Sequence, residues 1–192
     1  MIETLFPTLM YREILSGYNN NLISNYCEEI RNKHPSTHKW RCNTYSSMNT
    51  GYEMLKDEYF ISLVTTIANR VGEFSQSYGM GNCDVHVTDS WINVAKHGAY
   101  QEYHLHDSNH FSAVYYVKTP ENCGDICFRS HEATHDMFPL IPKVYNENNF
   151  KTMTYKAIES TLLIFRSNLL HMVEMNNSTE NRISISMNFI VR

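Results

Sequence analysis

This chain has no cluster of basic residues. Lysine and arginine number 16 against 20 acidic residues, for a net charge of −4. Nucleic acid and anionic membrane are therefore disfavoured as main partners. Glycine (7) and proline (5) are scarce, and neither an internal repeat nor a low-complexity linker interrupts the sequence. The strongest hydrophobic run, Leu162-Leu163-Ile164-Phe165, is far too short to span a bilayer. The opening MIETLFPTLMYREIL has neither the basic start nor the apolar stretch of a secretory signal, so a cytoplasmic location is expected. The five cysteines, Cys27, Cys42, Cys83, Cys123 and Cys127, are odd in number and irregularly spaced. They read as free thiols in a reducing compartment. Cys123 and Cys127 form a C-x3-C pair without the second pair a zinc site needs.

What is present is an ordinary globular balance, with 42% hydrophobic and 19% charged residues, enough for one domain with a real core. Leu22, Ile23, Tyr26, Cys27 and Ile30 make a one-sided stripe that predicts a helix over 20–33, ended near Pro35. Phe60, Val64, Ile67, Val71, Phe74 and Tyr78 step by alternating fours and threes, which predicts a helix over 56–78 stopped by Gly79 and Gly81. Beyond Gly81 the texture becomes short β-rich segments: 84–96, 100–107, 111–118, 125–129, 152–157, 161–166, 169–175 and 182–190. Eight strands at that spacing suggest a sandwich or barrel under an N-terminal helical layer. Residues 130–150, with Pro139 and Pro142, read as a long loop without a helix. Loops of that length are often functional.

Three histidines fall in Y-H-L-H-D-S-N-H, residues 103–110. In a strand, His104 and His106 share a face and Leu105 and Asp107 point the other way. Such a pair can grip a metal from one side, and His171, in F-R-S-N-L-L-H, is the candidate third ligand. A bulge that turned Asp107 inward would let it replace His106. The segment 182–190 alternates Ile183, Ile185, Met187 and Phe189 with Arg182, Ser184, Ser186 and Asn188. The second set reads either as a solvent face or as a polar barrel interior. In the interior reading, Arg182 offers a planar fork to a carboxylate and Ser184 adds a hydroxyl. Asn93 and Trp91 share a strand face; a buried amide there needs a partner, and Trp91, like Tyr115, reads as core. His131 and His135 form H-x3-H in the long loop and read as exposed. His110 reads as exposed or substrate-side, and His34, His38, His86 and His97 have no partner at useful spacing.

The ordered set W-I-N (91–93), G-x5-H-x-H (98–106), S-A-V-Y-Y-V (112–117), C-G-D-I-C-F (123–128), F-x-S-x3-H (165–171) and R-I-S-I-S-M-N-F (182–189) resembles the 2-oxoglutarate/Fe(II) oxygenases. It is most similar to a small bacterial and phage group related to prolyl 4-hydroxylases, in which an opening like L-F-P-T (5–8) is also typical. The resemblance implies a double-stranded β-helix, a jelly-roll core over 84–192, with the strand and packing helices of 1–81 completing a single domain over 1–192. It implies Fe(II) held by His104, His106 and His171, and 2-oxoglutarate as co-substrate, its far carboxylate clamped by Arg182 and Ser184, with Asn93 and Tyr116 in the same pocket. It implies a dioxygenase that hydroxylates a C–H bond and releases succinate and CO2. The family usually has a carboxylate where this chain has His106. The substitution makes the site one unit more positive, which favours anionic ligands and lets protons compete for the metal at mildly acidic pH. The primary substrate, a peptide side chain or a small molecule, is left to the loops 130–150 and 34–55. A homodimer is left open. Two other readings fit part of the pattern: a cupin-like three-histidine dioxygenase without 2-oxoglutarate, and a non-catalytic binding or structural protein on the same scaffold.

Overall fold

The computed structural model describes residues 1–36, 42–146 and 148–192. His38 and part of the 34–55 loop lie outside the described residues. Helix α1 (Asn20–Lys33) starts where the Asn19 side chain accepts the Leu22 amide and buries Ile23, Cys27 and Ile30. Helix α2 (Glu58–Gln76) is capped by Asp57 and buries Phe60, Leu63, Ile67, Val71 and Phe74. It begins later than the periodicity predicts, because Met54–Lys56 form a separate 3-10 turn. Leu63, not Val64, takes the deep position on its inner face.

Among the described residues the ten strands form two antiparallel sheets. They are β1 (Met10–Ile14), β2 (Tyr45–Ser46), β3 (Val85–Ala95), β4 (Gln101–His104), β5 (Phe111–Lys118), β6 (Ile126–Arg129), β7 (Thr152–Tyr155), β8 (Thr161–Arg166), β9 (His171–Val173) and β10 (Arg182–Val191). The large sheet runs β1-β8-β5-β10-β3-β2 and the small one β4-β9-β6-β7. From β3 onward the chain alternates between the sheets except at the β6–β7 hairpin, which makes the core a double-stranded β-helix. All eight strands expected after Gly81 form, several of them shorter than expected. No helix among the described residues is long and apolar enough to cross a membrane.

Strand β10 shows how the layers assemble. Ile183, Ile185, Met187 and Phe189 are at most 1% exposed and pack with α1 and α2 in one apolar cluster. Arg182, Ser184 and Asn188 on the other face are also buried, at 4–8% exposure. That second face is thus not a solvent face. It looks between the sheets, where Val114, Leu163, Phe165, Ile126 and Phe128 form a second, smaller core. Large-sheet strands buried on both sides in this way carry few charges, and the one on β10 needs a specific account.

The small sheet has two distinct ends. β4 finishes at His104, β6 finishes at Arg129, and β7 and β9 begin at Thr152 and His171. The loops 105–110, 130–151 and 167–170 therefore leave from one end, and the turns 119–125 and 174–181 lie at the other. Residues 131–135, expected as loop, form a one-turn helix, α3 (His131–His135). Glu132 and Ala133 favour a helical turn that the surrounding prolines and asparagines masked. His131 and His135 on it are exposed.

Candidate active site

The antiparallel register sets His104 directly opposite His171, with β4 and β9 as neighbours. Strand pairing thus closes a sequence gap of 67 residues, and the two ring centroids lie 4.2 Å apart. His106 sits just past the end of β4, where its backbone N–H donates to the Ser167 carbonyl at 2.9 Å. Strand alternation persists for two residues beyond the paired segment, so the His106 ring still turns inward, 5.1 Å from His104 and 5.2 Å from His171. One nitrogen from each ring lies within 4.8 Å of the others. Asp107 is exposed and outside this cluster, so no bulge brings the carboxylate in.

The imidazoles are in a form that could donate to a metal. Nδ1 of His104 faces the Glu102 carbonyl and Nδ1 of His171 faces the Leu169 carbonyl, both at 2.8 Å. A carbonyl can only accept, so both Nδ1 atoms carry the proton and both Nε2 lone pairs are free. Burial pushes His171 down to about 3, with His104 adding to the effect. Burial and then His104 push His106 down to about 4, against the pull of Asp89. His104 is lowered by burial as well. All three are neutral at pH 7, the form that binds metal.

These lowered values run against the expectation that mild acid loosens the site, and their sign gives a prediction. The folded protein binds these protons more weakly than the unfolded chain, whose imidazoles titrate near 6.5. The contribution to stability is complete above 6.5 and is lost progressively as pH falls toward 4. Denaturant unfolding of metal-free protein should show stability falling between pH 7 and 5, before most carboxylates titrate. Nickel affinity, by contrast, should stay nearly flat over that interval. A nickel affinity that drops steeply just below pH 6.5 would contradict the assignment.

The three rings open into a cavity of about 100 Å³ between the sheets. Its wall on the large sheet is the polar row of β10. Ser184 pairs with Asn93 on β3 and with Tyr116 on β5, so these three side chains share one cross-strand line. Ser186 pairs with Trp91 and accepts the Asn93 amide at 3.1 Å. Trp91, read from sequence as core, lines the cavity with its ring 5.6 Å from His106. Four residues, roughly 13 Å of strand, separate Ser186 near the histidines from Arg182.

Arg182 is 5% exposed and has no carboxylate within ion-pair range among the described residues. Its Nη1 donates to the carbonyls of Cys123 (2.6 Å), Gly124 (3.1 Å) and Glu174 (3.4 Å). Burial works against its charge, while Tyr116, Cys123, Asp125 and Glu174 work for it; a guanidinium in a protein keeps its proton regardless. Its other nitrogens, the Ser184 hydroxyl and the Tyr116 hydroxyl have no hydrogen-bond partner among the described residues. None of these atoms is sealed from the cavity. Burial raises the Tyr116 phenol well above its ordinary range, so it remains a donor. One wall thus presents a buried cation and two hydroxyls, a set that suits a carboxylate.

Some of the site was not anticipated. Behind His106, the Ser167 hydroxyl contacts Ser112 at 2.8 Å and Ser112 donates to Asn188 Oδ1 at 2.8 Å. Nothing in the spacing of these residues announces the chain they form. Other histidines stay outside the cluster: His110 Nδ1 accepts the Val191 amide, and His97 Nδ1 meets the Ser178 carbonyl. Cys123 and Cys127 are buried free thiols, with no metal cluster about them among the described residues.

Comparisons with known proteins place the chain in a family and match its fold. Residues 89–188 match the model of a family described as "Putative 2OG-Fe(II) oxygenase". A prolyl-4-hydroxylase from Pseudomonas putida superposes with a TM-score of 0.65 at 13% identity, over 96% of this chain and 94% of that one. The viral collagen prolyl hydroxylase of Paramecium Bursaria Chlorella virus-1, solved as a 2OG complex, gives 0.57 at 15% identity over 94% of each chain. HygX from Streptomyces hygroscopicus, solved with nickel and 2-oxoglutarate bound, gives 0.62 at 11% identity, over 95% of this chain and 82% of that one. At such identities these likenesses show the fold. No curated protein sequence matches the chain significantly.

Proposed function

The chain belongs to the 2OG-Fe(II) oxygenases, and on that premise we propose that it is a hydroxylase whose metal is held by His104, His106 and His171 and whose co-substrate is held by Arg182, Ser184, Tyr116 and Asn93. The family uses Fe(II) and 2-oxoglutarate, and the donor sets fit both. Three neutral imidazoles suit a divalent transition metal. The observation that carries the reading is the cavity itself: converging metal donors at one end and a buried guanidinium without an anion at the other. A three-histidine dioxygenase that used no 2-oxoglutarate would leave that cation uncompensated.

Bound together, Fe(II) and 2-oxoglutarate would supply oxidative decarboxylation with dioxygen as oxidant, one oxygen atom entering succinate as CO2 leaves and the other entering a substrate C–H bond as hydroxyl. The chain's own residues do four things. The Glu102 and Leu169 carbonyls fix the tautomers of His104 and His171, so that their Nε2 lone pairs would be the ones to hold the metal. His106, being neutral, leaves the site one unit more positive than a carboxylate would, which strengthens its hold on an anionic co-substrate. Arg182 and the Ser184 and Tyr116 hydroxyls anchor the far carboxylate and set the direction from which the co-substrate reaches the histidines. Trp91, Phe165 and Phe128 exclude water around His106 and His171.

The whole chain acts as one unit, with 84–192 carrying the site, β1 and β2 extending the large sheet, and α1 and α2 covering its outer face. The cavity is smaller than the 300–1,000 Å³ typical of drug-sized ligands, so it takes the co-substrate. The primary substrate, a peptide side chain or a small molecule, approaches from the end where the 105–110 and 130–151 loops leave the small sheet. The free cysteines fit a reducing compartment such as cytoplasm. Anaerobic protein given Fe(II) and 2-oxoglutarate, then exposed to oxygen, should release succinate slowly even without primary substrate. Omission of either component should abolish it. Protein that binds both and forms no succinate under oxygen would contradict the reading.

A further inference from the structure

We propose that Gly124 is a positioning residue of the co-substrate site: its missing side chain lets two turns touch, and their carbonyls aim Arg182 into the cavity. The inference rests on the reading that Arg182 binds the far carboxylate of 2-oxoglutarate.

The turns 119–125 and 174–181 lead into β6 and out of β9, neighbouring strands at the small sheet's second end. Three bonds tie them: Glu174 N–H to the Asp125 carbonyl at 2.9 Å, Asn177 N–H to the Asn122 carbonyl at 2.9 Å, and Asp125 N–H to the Glu174 carboxylate at 3.2 Å. Gly124 lies at the point of closest approach with φ +83°. A Cβ there would overlap the Glu174 carbonyl oxygen and stand 2.8 Å from the Glu174 carbonyl carbon and 2.8 Å from the Met175 carbonyl oxygen. These are backbone atoms that cannot swing aside, so only glycine allows the contact.

That contact makes a cage. The carbonyls of Cys123 and Gly124 from one turn and Glu174 from the other converge on a single atom, Arg182 Nη1. Carbonyl dipoles stabilise the cation without neutralising it, unlike a carboxylate partner, so its full charge remains for a ligand. They also occupy one side of the guanidinium, so the other nitrogens face the cavity beside Ser184 and Tyr116. Separating the turns would release Arg182 while leaving the histidine end untouched.

The test is selective loss of affinity. Nickel-loaded protein is titrated by calorimetry with 2-oxoglutarate and with 2-oxobutanoate, which keeps the keto acid and lacks the far carboxylate. Gly124→Ala should weaken 2-oxoglutarate by about tenfold or more, the scale of one charge-assisted contact. It should leave 2-oxobutanoate and nickel affinity unchanged. Gly79→Ala is the control for backbone strain, since Gly79 has φ +76° with nothing within 4 Å of its Cβ position; it should change neither. Glu174→Ala loosens one tie without adding atoms, and should give the same selective loss at about threefold. Equal losses for both acids, or wild-type 2-oxoglutarate affinity in a folded Gly124→Ala protein, would overturn the proposal. If Gly124→Ala fails to fold, unchanged selectivity in Glu174→Ala overturns it. An Arg182→Ala protein that still binds 2-oxoglutarate normally would instead remove the underlying reading.

Discussion

Replacing Arg182 by alanine is expected to weaken 2-oxoglutarate binding to the metal-loaded protein by about 30- to 800-fold, or ~2–4 kcal/mol. The size follows from burial. At 5% exposure the guanidinium meets a carboxylate out of water, where a lost charge pair is not made good by solvent. The substitution also strips the donor from three carbonyls, those of Cys123, Gly124 and Glu174. Part of the cost therefore appears as lower stability, and calorimetry should be accompanied by thermal unfolding. Arg182→Lys should recover only a fraction, because an ammonium cannot keep the carbonyl cage on one side and present a fork on the other. Unchanged affinity in Arg182→Ala would mean that the cation serves the fold alone.

Removing His171 should have the larger effect on the metal. Even an outer partner of a metal ligand contributes 10- to 100-fold in affinity, so His171→Ala should cost more than about a hundredfold. Titration with nickel under oxygen-free conditions measures it. His171 is 3% exposed and packed against Phe165 and Phe128, so the variant also opens a gap, and Phe at this position controls for packing. The paired controls are His97→Ala and His110→Ala, whose rings hydrogen-bond to backbone and lie outside the histidine cluster. They should bind nickel as the parent does. Equal loss in all variants would point to an unstable protein rather than a lost ligand.

The periodic elements were readable because their physics is local. The stripe in 20–33 and the alternating fours and threes in 56–78 each name a face, and α1 and α2 bury most of each, although Leu22 is exposed, Val64 is only half-buried and Tyr78 lies past the end of α2. The polar alternation on 182–190 was ambiguous, since a polar face turned to solvent and one turned to a cavity look alike in sequence. Only the small sheet packed over it distinguishes them. The pair His104 and His106 was legible from spacing, and His171 from its place after an apolar strand. Their convergence depends on the β4–β9 register, which no single sequence displays. The hydroxyl chain Ser167–Ser112–Asn188 and the contact at Gly124 were not legible, because each joins segments more than 40 residues apart through a backbone path that must be known first. The one-turn helix α3 was missed for the opposite reason. Five residues between proline- and asparagine-rich flanks give too short a pattern to register.

The most direct measurement is an anomalous difference map from crystals grown anaerobically with Fe(II) and 2-oxoglutarate. The account predicts one iron peak about 2.1 Å, the length of an imidazole–metal bond, from Nε2 of His104, Nε2 of His171 and one ring nitrogen of His106. The co-substrate should extend from that peak to Arg182. Iron bound at Asp107 or elsewhere, or 2-oxoglutarate lying away from Arg182, would contradict it.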